Sequence, residues 1–171
     1  NLKLKENDLM TWALVTAIGG FVLVIIGGWM FEPLIVQKFS GRSPLFVDYY
    51  KWVFPFGLGI LLFTVLEAFS NNLKRSIFPA FLRETALRLF TLVLIGVYLL
   101  GLIDFHVFML LFSFLYLLIV LILVTSLISS NQLHFTFSVS RVTKKFKKKI
   151  FILGSYVFAG QIIFILSQVM D

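Results

Sequence analysis

Six ionisable side chains, Glu67, Lys74, Arg75, Arg83, Glu84 and Arg88, sit within or beside long apolar runs, where charge needs either a partner or a task. Glu84 and Arg88 stand four apart, the spacing at which a carboxylate meets a guanidinium on one helical face. Thr91 and Tyr98 continue that stripe, and Thr64 and Asn71 flank Glu67 at helical spacing. One reading is local: Arg88 pairs with Glu84 or Glu67, and the long side chains reach out to water. The other is functional: Arg88, Arg83 and the Lys74-Arg75 pair receive an anionic substrate. Arg88 is expected about nine residues into a helix that begins at Pro79, roughly 13 Å along its axis. That is deeper than Lys74 or Arg75.

Other chemistry has little to build on. The chain has no cysteine, which removes disulfides, thiolate metal sites and thiol nucleophiles. His106 and His134 are expected on opposite sides of a membrane, and neither has a carboxylate pair at metal-ligand spacing. No hydrolase, metalloprotease or phosphate-loop signature occurs, and the pairs Gly19-Gly20 and Gly27-Gly28 lie inside a helix. No enzyme, no metal and no cofactor is expected.

The elements that must position these charges are set by hydropathy. Hydrophobic residues make up 60% of the 171, charged residues 13%, and the mean hydropathy is +1.00. Too few polar residues remain to cover a soluble core of that composition. About 20 apolar residues cross a bilayer, and in lipid a helix satisfies its backbone within one segment. The expected fold is therefore all-α, a polytopic transmembrane helical bundle of about five spans: 9–31, 52–69, 79–103, 105–128 and 150–170. Short links make consecutive helices antiparallel neighbours, with a tight hairpin at Gly101–Phe105. Asp104 is expected to N-cap the fourth helix, and Pro79 and Pro55 suit first turns. Ala13, Thr16, Ala17 and Gly20 form a smooth face on the first helix, as do Gly154, Ser155 and Ala159 on the fifth, and both are expected as packing seams.

Orientation follows from the cations. With the N-terminal end cytoplasmic, 12 Lys and Arg lie on the inner side and 3 outside, namely Lys38, Arg42 and Lys51. The net charge of +7 is thus arranged as in a membrane protein, not as a nucleic-acid footprint. The basic linker 129–149 carries Arg141, Lys144, Lys145, Lys147, Lys148 and Lys149, an expected inner-face anchor to anionic lipid. A polar start at Asn1 and a stop directly after an apolar run suggest an internal piece of a longer chain, whose remainder would be its partner.

Several short runs are similar to a known group. They are Ser43-Pro44-Leu45-Phe46-Val47, Tyr49-Tyr50, Phe81-Leu82-Arg83-Glu84 followed by Leu87-Arg88-Leu89, and the Leu102-Ile103 turn into Phe105 and Phe108. Together with the basic linker before Gly154, they resemble the Bacteroidetes-type oligosaccharide flippases of lipopolysaccharide and polysaccharide biosynthesis. These belong to the multidrug/oligosaccharidyl-lipid/polysaccharide exporter superfamily. The resemblance implies a fold of twelve to fourteen helices in two halves, of which this chain would supply the third to seventh. It implies flipping of an undecaprenyl-pyrophosphate-linked oligosaccharide across the bacterial inner membrane by alternating access. Arg holds phosphate oxygens in a two-pronged fork, so a cation-lined path suits such a substrate. Two alternatives stand beside it. A membrane-embedded polymerising or assembly enzyme of the same pathway would want a larger outer loop than 32–51. A drug/cation antiporter would want buried carboxylates, for which Glu67 is the candidate.

Overall fold

The computed structural model describes residues 7–130 and 152, and among these every regular element is helical. The helices that position the charges belong to one compact unit, Trp12–His134. Helix α1 (Asn7–Phe39) runs on past residue 31 because apolar residues continue through Leu34, Ile35 and Val36. Pro33 inside it withholds one N–H from the Trp29 carbonyl and does not end it. The short α2 (Pro44–Tyr49) opens on a proline at its first position, where an N–H would have no partner anyway. One 3-10 turn, Tyr50–Trp52, joins it to α3 (Val53–Asn72). The helix tightens there because Pro55 has no N–H to offer the Lys51 carbonyl four residues before it.

Among the described residues three stretches are long and apolar enough to cross a bilayer: Met10–Phe39, Pro44–Asn72 and Phe105–Ser129, the last being α6. The expected span 79–103 takes a different form. Helix α4 (Ile77–Phe81), a π-helical turn (Leu82–Ala86) and α5 (Leu87–Leu99) follow without a break, and Arg83, Glu84 and Arg88 interrupt their apolar character. The span expected at 150–170 and the linker at 129–149 lie outside the described residues, apart from Ser129, Ser130 and Ile152.

Helix α6 is the spine. Along one side it packs on α3, and along another on α5 and the π turn. Contacting pairs between α3 and α6 advance together, from Trp52 with His106 through Phe56 with Phe112 to Gly59 with Tyr116, so these helices run parallel. Sequence adjacency points instead to α3 lying along α5. The two meet chiefly through α4 near their shared loop, because α6 offers α3 the longer apolar stripe. The core gathers toward the Asn72 end, where Phe63 and Leu66 of α3, Leu82 and Ala86 of the π turn and Ile119, Leu123 and Leu127 of α6 are buried. Ser70 and Ser113 are also buried, and each hydroxyl donates to a carbonyl of its own helix.

Helix α1 leans antiparallel on the start of α3. Gly28 abuts Phe54, Gly57 faces Phe21, and the Tyr50 hydroxyl donates to the Gly28 carbonyl at 3.2 Å. Among the described residues the small face expected to pack, Ala13, Thr16, Ala17 and Gly20, is instead mostly exposed, with nothing near Gly19 or Gly20. Contact is made where a small residue meets a ring, lower on the helix.

Two helix ends share one design. After α3, the N–H of Arg75 bonds the Ser70 carbonyl and that of Lys74 the Asn71 carbonyl. After α5, Leu102 bonds Val97 and Gly101 bonds Tyr98 in the same pattern. Both are Schellman closures that need a left-handed residue, filled by Lys74 at φ 60° and Gly101 at φ 71°. A lysine there costs about 1 kcal/mol, partly offset by a cation at a helix C-terminus. Gly101→Ala meets no neighbouring atom, so its cost should be purely conformational, about 1 kcal/mol of unfolding free energy. Denaturant titration in detergent checks it, and an unchanged midpoint would contradict the left-handed turn. Asp104 occupies the N-cap position of α6 as expected, with extended backbone and no side-chain capping bond.

Candidate functional site

Four charges form one chain of contacts at the Asn72 end. Arg83 Nη1 lies 2.9 Å from both carboxylate oxygens of Glu67 on α3. Its Nε donates to Glu84 Oε1 at 3.1 Å, and Glu84 Oε2 accepts from Arg88 Nη2 at 3.0 Å. The order is Glu67, Arg83, Glu84, Arg88, alternating in sign and neutral in sum.

The local fold explains who meets whom. A π turn takes five residues where an α turn takes four, and the Leu87 N–H accordingly reaches back to the Leu82 carbonyl. Leu82 and Ala86 are thereby both turned into the core, while Arg83 and Glu84 are left on the outer side. From that position Arg83 reaches Glu67 across the gap between helices. Helical spacing leaves Glu67 open as a partner for Arg88, but among the described residues Arg88 pairs with Glu84 and not with Glu67. The Glu67 side chain is 15% exposed, against 48% for Arg83 and 77% for Arg88. Arg83 is therefore spent on holding two elements together. Arg88 is left with one bond, to Glu84, among the described residues, and most of its five N–H donors are unused there.

The other candidates separate. Lys74 and Arg75 are exposed on the loop between α3 and α4, without an ion pair among the described residues. Thr64 and Thr91 return their hydroxyls to Ile60 and Leu87 of their own helices. Tyr98 stands at the opposite end of α5, packed on Phe105 and Phe108. His106 stacks near Tyr49 and Trp52, and His134 lies outside the described residues. Among the described residues no group of three His, Asp or Glu is placed to hold a metal ion.

Sequence reasoning missed the opposite end. From there a run of rings leads through Tyr49, Phe105, Phe108, Phe112, Phe56 and Tyr116 to Phe63 in the core, with centroids 5.3–6.4 Å apart. Its signal is present in the sequence: Phe105, Phe108, Phe112 and Tyr116 recur at steps of three, four and four along α6, one helical face. Beside this ladder a cavity of about 270 Å³ opens between α2, α3 and α6.

No protein-family model, no curated protein and no solved structure matches the chain. Fold and composition define a helical membrane protein, with three helices among the described residues able to span a bilayer and a neutral ionic chain at the Asn72 end of α3.

Proposed function

We propose that this chain is part of a transporter that flips an undecaprenyl-pyrophosphate-linked oligosaccharide across a bacterial inner membrane by alternating access. Arg88 carries the reading: an exposed guanidinium on a largely apolar helix, oriented by one bond to Glu84, with the rest of its fork open. In this reading the Glu67 end faces the cytoplasm, and Lys74 and Arg75 draw the pyrophosphate from the headgroup layer toward Arg88. Glu84 aims Arg88, while Arg83 and Glu67 tie the helices around it. Further spans at 79–103 and 150–170 complete a set of five, and the cations at 141–149 hold anionic lipid. The chemistry asked of the protein is binding and release, with no covalent step. An antiporter needs a carboxylate free to exchange its proton, and Glu67 is already gripped by Arg83.

The test is glycan export in cells that depend on the full-length protein. One or two charge-assisted bonds to phosphate are worth about 1.5–3 kcal/mol, so Arg88→Ala should cut export by about tenfold to a hundredfold at normal protein abundance. Arg88→Lys should recover only part, because an ammonium cannot form the two-pronged contact. Full export by Arg88→Ala at normal abundance would remove this reading of the site.

A further inference from the structure

The cavity beside the ring ladder has chemistry of its own. Leu45, Phe46, Trp52, Phe56, Met109 and Phe112 supply most of its wall. Three hydroxyl-bearing residues are in its lining, Ser43, Tyr49 and Ser113, and the Ser113 hydroxyl is spent on the Met109 carbonyl at 2.8 Å. A sugar or peptide needs several converging polar groups to fix it, and this wall does not offer them. The cavity is open on one side, and an apolar wall of this kind is most favourably covered by hydrocarbon.

The surroundings say which hydrocarbon. The walls α3 and α6 belong to stretches that suit a bilayer, so acyl chains are the solvent along them. Trp52, Tyr49, His106 and Tyr98 cluster at this end, as rings do at the headgroup level of membrane proteins. At the mouth, Arg42 immediately precedes Ser43, is exposed, and forms no ion pair among the described residues. Its N–H and that of Ser43 both bond the Phe39 carbonyl, and the Phe39 ring packs 5.4 Å from Phe46, which fixes the Arg42 backbone next to the lining residues Ser43 and Phe46. The nearby charges are Lys38, Arg42 and Lys51 against Glu32 and Asp48, and Lys51 is already drawn to Glu32 at 4.0 Å. The balance is positive, and Lys38 and Arg42 are both outside any ion pair among the described residues; of the two, Arg42 adjoins the lining residue Ser43.

We propose that this cavity binds one acyl chain of a membrane phospholipid, with the lipid phosphate held at Arg42. The site is independent of the flipping reading and stands if that reading fails.

Photocrosslinking decides it. The full-length protein is placed in vesicles of phosphatidylethanolamine and phosphatidylglycerol, the latter carrying a diazirine in its acyl chain, and labelled peptides are mapped. Label is expected on Trp52, Phe56, Met109 and Phe112 as well as on outward residues such as Leu92 and Leu99. Arg42→Gln should lower the cavity label about fivefold, the factor for one cation near anionic lipid, without changing label at Leu92. Leu45→Trp, which fills the cavity from an exposed position, should abolish the cavity label alone. Label confined to outward residues, as when other parts of the protein or a second copy cover this face, would overturn the site. Cavity label indifferent to Arg42→Gln would overturn the assignment of the phosphate.

Discussion

Gly59→Ala should cost about 1–3 kcal/mol of unfolding free energy, the range for forcing extra volume into a packed contact, and Gly59→Leu should prevent the bundle from assembling. A Cβ on Gly59 would lie 2.6 Å from the Cβ of Tyr116, 3.1 Å from its carbonyl carbon and 3.0 Å from the Leu117 nitrogen. Two of those atoms are backbone, so no rotamer change relieves the clash and α3 must move away from α6. That contact is the most extensive in the unit. In lipid no hydrophobic force draws helices together, and association rests on close packing of the kind a glycine permits. Separation would also part Phe56 from Phe112 and Tyr116 and break the ring ladder midway. Gly19→Ala and Gly96→Ala are the controls, since neither added carbon meets an atom within 4 Å. Each should be neutral or stabilising by up to about 1 kcal/mol, the helix preference of alanine over glycine. Gly59→Ala behaving like these controls would exclude α3–α6 packing through this residue.

That contrast among glycines shows where the sequence was legible and where it was not. Hydropathy alone placed helix over 105–128, and α6 is Phe105–Ser129, because a long uncharged run admits one solution in lipid. The i,i+4 rule likewise anticipated the Glu84–Arg88 contact, which is a property of one helix. Partner choice between helices is different, since it depends on shape at positions far apart in the chain. In the sequence Gly59 is only one of two glycines that follow Pro55, and its proximity to Tyr116 is what reveals it as a seam. The smooth face at Ala13, Thr16, Ala17 and Gly20 had the better sequence credentials and makes no such contact among the described residues. The π turn was equally hidden: one added residue per turn leaves the composition of Leu82–Ala86 unremarkable, yet it sends Arg83 rather than Arg88 to Glu67.

The cost of breaking the ionic chain should therefore be asymmetric, and the asymmetry is the signature of its geometry. Arg83→Ala strands Glu67, the least exposed member, with no other cation in contact among the described residues. Glu67→Ala strands Arg83, which is about half exposed and still holds Glu84 at 3.1 Å. Fully exposed pairs are worth about 0–1 kcal/mol, whereas breaking a buried pair by removing one partner costs about 3–5. Between those limits, Arg83→Ala should cost about 2–3 kcal/mol and Glu67→Ala about 1. Arg88→Ala should cost well under 1, because its side chain is 77% exposed and anchors no second element. Adding Glu67→Gln to Arg83→Ala should recover much of the loss, since an amide left unpaired is cheaper than a carboxylate. Equilibrium unfolding of the five proteins in one detergent gives the ranking. Equal costs for Arg83→Ala and Arg88→Ala would mean that the Arg83–Glu67 contact does not tie the π turn to α3. The expected ranking would instead separate two jobs within one neutral chain: Arg83 fastens the helices, and Arg88 is left free for an anion.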